Sequence, residues 1–227
     1  MTKADLTTWT KDVRKLFYLR QNPEKKPQME AYIKNKFVFF GVSSPERKII
    51  LKEAMSNLEG KAQLLDAAEA CYEQDEREFH YLGMELLFRS RSIWKADVYD
   101  TLKSFVTRHS WWDTVDSLAS NSFGAYFKMF PEMVENQVPE LIASPHMWLR
   151  RTSLLYQLKY KNDVDTTMLE QAIKNMHHEQ EFFIKKAIGW ALRQYAKYNP
   201  DWVMELVDKY PLQNLSRKEA LKHLDKK

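Results

Sequence analysis

Glycine and proline are scarce in this chain, five and eight among 227 residues, about half the usage of an average globular protein. A β-sandwich or a dinucleotide-binding sheet needs more turn glycines, so the composition points away from both. Cys71 is the only cysteine, which excludes a disulfide framework and a thiolate zinc site and suits a reducing compartment. Long apolar runs are missing as well. The longest, FVFFGV at 37–42, is far short of the roughly 20 residues that span a bilayer. The N-terminal MTKADLTTWTKDVRK lacks the apolar stretch of a signal peptide. The expectation is a soluble, cytoplasmic chain with no membrane partner. No Gly-rich phosphate loop, G-x-S-x-G elbow or H-E-x-x-H motif occurs, and the histidines at 80, 109, 146, 177, 178 and 223 show no metal-ligand spacing. No metal and no cofactor are expected.

Hydrophobic residues at 44%, aromatics at 13% and charges at 29% describe a folded domain. The net charge of +4 is modest, but it is unevenly distributed. Residues 1–60 carry +5 and 144–200 carry +4, whereas 61–100 carry −4 and 101–143 carry −2. Two basic zones flank an acidic middle. Solvated helix faces account for such zones, and so does a nucleic-acid partner.

Helical periodicity dominates the pattern. Leu6, Trp9, Val13, Leu16 and Phe17 follow the 3/4 spacing of an amphipathic helix. QNPEKKPQ at 21–28 breaks it, and Pro27 then opens a second helix with Met29, Tyr32 and Ile33 as its apolar positions. Ser43-Ser44-Pro45 predicts a third helix with a serine cap and proline at the first helical position. Breaks at Gly60, Asn121-Ser122, Pro145, Asn162-Asp163, Asn199-Pro200 and Pro211 divide the chain into about ten to twelve helices, with no strand. A weak repeat is anchored on Phe79, Trp112, Trp148 and Phe183, spaced 33, 36 and 35 residues apart. Each anchor is followed by apolar positions at helical intervals: Leu82/Leu86, Val115/Leu118, Thr152/Leu155 and Ala187/Trp190. The expected fold is all-α: one domain over 1–227, an α-solenoid of HEAT-like antiparallel helix pairs.

Three segments offer chemistry. In Ser110-Trp111-Trp112-Asp113-Thr114-Val115-Asp116, Ser110 reads as an N-cap and Asp113 as a first-turn carboxylate favoured by the helix dipole. Asp116 lies past the cap, one turn after Trp112 on the same face, and the cap does not require its charge. A carboxylate beside a large aromatic surface suits a developing cation, although a core Trp with a solvated Asp has the same spacing. The second segment, FFIKKAIGWALRQYAK at 182–197, puts Trp190 and Arg193 on one face with Lys185, Lys186 and Lys197 nearby. Its counterpart one repeat earlier carries Arg150, Arg151, Lys159 and Lys161. Cations at corresponding positions of successive repeats can track a phosphate backbone, or simply be surface. The third segment is the helix start GVSSPERK at 41–48, whose free N–H groups, Arg47 and Lys48 form either a phosphate clamp or an ordinary first turn.

Taken together and in order, QNPEKKPQMEAYIKNKF (21–37), GVSSPERK (41–48), EREF (76–79), SWWDTVDS (110–117), MWLRR…YQLKYK (147–161) and FFIKKAIGWALRQYAKYNPD (182–201) resemble the AlkD family of DNA alkylation-repair glycosylases. The likeness covers nearly the whole chain. It implies a curved array of HEAT-like repeats with duplex DNA on its basic face, and hydrolysis of the N-glycosidic bond of N7- or N3-alkylated purines as the first step of base excision repair, with 7-methylguanine and 3-methyladenine among the substrates. It further implies that Trp112 and Trp190 line the lesion site, that Asp116 is catalytic, and that Arg151, Arg193, Ser44, Pro45, Arg47 and Lys48 hold DNA. This chain has Ser43-Ser44-Pro45 where relatives often have Gln-Thr-Pro. A monomer is expected. The alternatives are a non-catalytic DNA-binding relative and a HEAT-like protein scaffold.

Overall fold

In a computed structural model of the chain, which describes residues 1–222 and 224, regular structure is helical throughout. Among the described residues there are fourteen α-helices and no strand, only an isolated bridge between Val38 and Glu76. No helix among them is long and apolar enough to cross a membrane. The helices exceed the ten to twelve expected because breaks subdivide them. One stretch without a proline is split into α7 (Trp112–Ser117), a π-helical turn (Leu118–Phe123) and α8 (Gly124–Met129).

Two compact units are distinguished, Met1–Val98 and the chain from Tyr99 onward. In the first, α1 (Lys3–Leu19) opens with a capping box in which the Asp5 N–H donates to Thr2 and the Thr2 N–H to Asp5. Its periodic residues Trp9, Val13 and Phe17 are buried as the spacing predicts. The Trp9 indole donates to the Ala54 carbonyl of α3 (Ser44–Ser56) at 3.0 Å. Phe17 stacks on Phe40, centroids 5.2 Å apart, and meets Phe79 edge-on. The short α2 (Lys26–Tyr32) has Pro27 in its first turn, but Tyr32 points to solvent. Ile33, its C-cap, is buried and Met29 half-buried as the spacing predicts, so Tyr32 alone of the three leaves the apolar face. α4 (Gly60–Tyr72) and α5 (Arg77–Arg89) pack as a helix pair. Gly83 sits at their contact, where a Cβ would come within 2.7 Å of the Tyr72 ring and 3.0 Å of the Ala68 carbonyl.

The second unit is built the same way from α6 (Val98–Thr107), which starts at its edge, α7, α8, α9 (Val134–Ala143), α10 (Met147–Leu155), α11 (Thr166–Met176), α12 (Phe182–Tyr195), α13 (Pro200–Lys209) and α14 (Asn214–Leu221). α10 packs on α9 and α12, and α12 on α14. All four repeat anchors fall in the first turn of a helix: Phe79 in α5, Trp112 in α7, Trp148 in α10 and Phe183 in α12. Their apolar followers Leu82, Leu86, Val115, Leu118, Leu155 and Ala187 are core residues. The repeat is therefore a physical one, each anchor opening a helix whose apolar stripe is buried within its own unit.

Candidate active site

The approach to Asp116 is built differently from the cap that the sequence predicts. His109 adopts a left-handed conformation, φ 49°. This turns Ser110 back onto α6, where its hydroxyl donates to the carbonyls of Val106 and Thr107 at 2.7 and 2.9 Å. Ser110 thus closes the preceding helix instead of opening the next, and the N-cap of α7 is Trp111, in extended backbone. The expected Ser110 cap of α7 therefore does not form, the serine lying one residue outside the N-cap position and turned onto α6. Asp113 keeps its first-turn place near the positive end of α7.

Asp116, one turn after Trp112, is gripped from α10. The Arg151 Nε donates to Oδ1 at 2.7 Å and Nη2 to Oδ2 at 2.9 Å, a two-pronged fork. The third guanidinium nitrogen donates to the Phe183 carbonyl in the first turn of α12. One side chain thereby ties three helices together. The Arg151 side chain is 4% exposed and that of Asp116 16%. Burial raises the Asp116 carboxyl above its ordinary range; the Arg151 hydrogen bonds and charge oppose this, and neighbouring Asp113 reinforces it. The solvated carboxylate that the spacing also allowed is therefore not what forms. Nor is the charge of Asp116 structurally idle, since it neutralises a buried guanidinium.

Beyond Asp116 the helix widens into the π-helical turn, a local irregularity common at functional sites. Ser120 in that turn donates to the Asp116 carbonyl at 2.8 Å. The wall beside the ion pair is aromatic. Trp111, Trp148 and Phe183 contact one another pairwise, with centroids 4.9 to 5.7 Å apart. Trp111 was not singled out from the sequence. The signal was available, because Trp111 lies 37 residues before Trp148 and so shares the repeat spacing. Trp112, by contrast, starts the turn that carries Asp116 and is half-buried.

Trp190 is also half-buried, seven residues after Phe183 on α12 and so on the same helix face. Its neighbour Arg193 is directed to Glu219 of α14, which also binds Lys186 at 2.9 Å. Gly189 makes that arrangement possible. A Cβ there would lie 2.5 Å from the Glu219 Cβ and 2.8 Å from the Ser216 carbonyl. The basic residues of α10 and α12 are thus largely engaged within the protein, Arg150 forming its own fork to Glu179 at 3.0 and 3.1 Å.

The third segment lies in the first unit. Ser43 caps α3 in a box with Glu46, and Pro45 is the second helical residue rather than the first. Ser44, Pro45 and Lys48 are exposed. Arg47 folds back over the Tyr81 ring, 4.5 Å from its centroid, and donates to the Val42 carbonyl at 3.3 Å. Buried Glu78 sets the position of this helix start by accepting the N–H groups of Phe40, Gly41 and Val42 at 2.9 to 3.1 Å. Gly41 has φ 87°, and a Cβ there would stand 2.1 Å from the Asn22 carbonyl oxygen.

Among the described residues no group of three or more His, Cys, Asp or Glu side chains is arranged to hold a metal ion. The chemistry on offer is that of a largely buried carboxylate oriented by an arginine that lies against the Phe183 ring of the Trp111, Trp148 and Phe183 cluster. Residues 13–224 match a protein family described as DNA alkylation repair enzyme. Among solved structures, a protein of Enterococcus faecalis described as a predicted DNA alkylation repair enzyme is 34% identical, with 92% of this chain and 98% of that one covered at a TM-score of 0.83. No curated protein matches. With its helix-pair repeats and a family match across nearly its full length, the chain belongs to the AlkD-type DNA alkylation repair enzymes.

Proposed function

We propose that this protein is a DNA glycosylase that hydrolyses the N-glycosidic bond of N7- or N3-alkylated purines in duplex DNA. The observation that carries the reading is the Asp116 carboxylate, desolvated and held by a two-pronged arginine one turn from Trp112. Alkylation at N7 or N3 places a positive charge on the base, which makes it a good leaving group without a general acid. The enzyme must then stabilise an oxocarbenium-like sugar and place a water molecule. A fixed carboxylate in a largely dry site supplies both through its charge and its hydrogen-bond acceptors. Trp112 and Trp190 offer aromatic faces to the cationic nucleotide. Arg193 and the helix start at Ser44, Pro45, Arg47 and Lys48 are assigned to the DNA backbone, where cations bind phosphate without reading sequence.

The test is to incubate the purified protein with duplex DNA methylated at purine nitrogens and to identify the released bases. Release of 7-methylguanine or 3-methyladenine is expected. Tight, salt-sensitive DNA binding with no released base would replace this reading with a non-catalytic DNA-binding role.

A further inference from the structure

We propose that a cavity in the first unit is a second DNA site, one that takes a single nucleobase displaced from the stack of a DNA strand. This inference rests on the reading of the protein as DNA-binding and is independent of the chemistry at Asp116. The cavity measures about 280 Å³ and lies wholly within Met1–Val98, close to the ~300 Å³ at which small-molecule sites begin. That is room for one flat ring system and little more. Its floor is apolar, formed by buried Ile33 and Phe39. Its sides are aromatic: Tyr32 of α2 is 68% exposed, and Tyr81 of α5 is half-buried. Exposed Gln28 and half-buried Arg47 supply the polar lining.

Each part matches a property of an unstacked base. A base that leaves the helix loses its stacking partners, and tyrosine rings replace them. The Arg47 guanidinium lies over the Tyr81 ring, 4.5 Å from its centroid, and donates to the Val42 carbonyl at 3.3 Å. So held, it brings planar donors to the cavity wall, which suit the acceptors on a base edge. The Gln28 amide adds donors and an acceptor. The surroundings favour a strand over a free nucleotide. Between residues 25 and 48, six basic side chains stand against two acidic ones. Both carboxylates are engaged within the unit: Glu30 accepts the Phe39 N–H at 3.2 Å, and Glu46 closes the capping box of α3. Lys25, Lys34, Lys36 and Lys48 are exposed around these elements. Four cations exceed the charge of one phosphate and suit successive phosphates of a chain. A strained turn arranges two of them. Lys34 and Asn35 both adopt left-handed backbone, φ 61° and 54°, and neither is glycine. Ile33 before this turn is buried beneath the cavity, while the lysines on either side of Asn35 reach solvent.

The test measures affinity for three duplexes of one sequence: fully paired, with a single unpaired adenine nucleotide, and with an abasic nucleotide in its place. Deoxyadenosine monophosphate is titrated alongside. The wild-type protein should bind the adenine bulge about tenfold more tightly than the abasic bulge, the usual worth of one base stacked on an aromatic side chain. Tyr32→Ala should abolish that difference and leave affinity for the paired duplex within a few-fold of wild type. Tyr32 is exposed, so this variant should keep its fold, which circular dichroism checks. Tyr81→Leu, which keeps bulk in the half-buried wall, should lose the preference as well. Equal wild-type affinity for the adenine and abasic bulges overturns the inference, and so does a preference that survives in both variants. Monophosphate binding as tight as the bulge would mark a free-nucleotide site and overturn the assignment to a strand. Failure to bind any DNA defeats the DNA-binding reading, and this inference with it. A base preference without release of 7-methylguanine from methylated duplex removes the glycosylase reading and supports this inference.

Discussion

Replacing Asp116 with asparagine separates two consequences that the structure couples. Shape is preserved and one acceptor oxygen remains for Arg151, but the negative charge is lost and an N–H group faces a guanidinium. Arg151 is buried, with a 4% exposed side chain. Uncompensating one member of such a pair costs on the order of 3 kcal/mol, the low end for a broken buried ion pair because the amide keeps one hydrogen bond. For a chain of this size that lowers the melting temperature by about 6–12 °C. Independently, loss of the charge facing the sugar cation should slow base release about 10²–10³-fold. Asp113→Asn is the control from the same helix. Its carboxylate sits in the first turn, where the helix dipole contributes about 1 kcal/mol at most, and its excision rate should stay within a few-fold of wild type. Thermal melts and single-turnover release of 7-methylguanine, at a temperature where both variants are folded, read the two effects separately. An Asp116→Asn protein that melts and excises like wild type would refute the ion-pair argument and the catalytic assignment together. Loss of excision confined to Asp113→Asn would move the catalytic role to that residue.

Two further outcomes follow from the packing. Gly189→Ala places a methyl 2.5 Å from the Glu219 Cβ and 2.8 Å from the Ser216 carbonyl, so α14 must shift and the variant should lose about 1–3 kcal/mol in urea unfolding; unchanged stability would mean that the α12–α14 contact is not close-packed. Burial raises the Glu78 carboxyl above its ordinary range despite its backbone hydrogen bonds. Its favourable contribution is therefore complete below the unfolded-state value and is lost as pH rises through the folded-state value. Glu78→Gln should flatten the pH dependence of stability above the unfolded-state glutamate value of about 4.3, and a wild-type slope would contradict the assignment.

Much of the fold was legible before any coordinates, because helical periodicity and capping are local. The 3/4 spacing of Trp9, Val13 and Phe17 picks out the buried stripe of α1, and serine, glutamate and proline within four residues mark the start of α3. Tyr32 was not legible, because a spacing rule marks Met29, Tyr32 and Ile33 alike and does not say that the middle one faces solvent while Ile33 is buried. Ser110 also escaped the local rules. A serine between two helices can cap either one, and the left-handed turn at His109 decides for the earlier.

The candidate site divides along the same line. The sequence by itself determined which residue types stand one turn apart, and so put Trp112 and Asp116 on one helix and Trp190 and Arg193 on another. Only the tertiary structure decided that Asp116 and Arg151, 35 residues apart, form a buried fork, and that Arg193 and Lys186 converge on Glu219. The reason is physical. Spacing along a helix sets the face a side chain occupies, but a charge takes its partner from whatever the neighbouring helix presents, and that depends on contacts as close as Gly189 against Ser216.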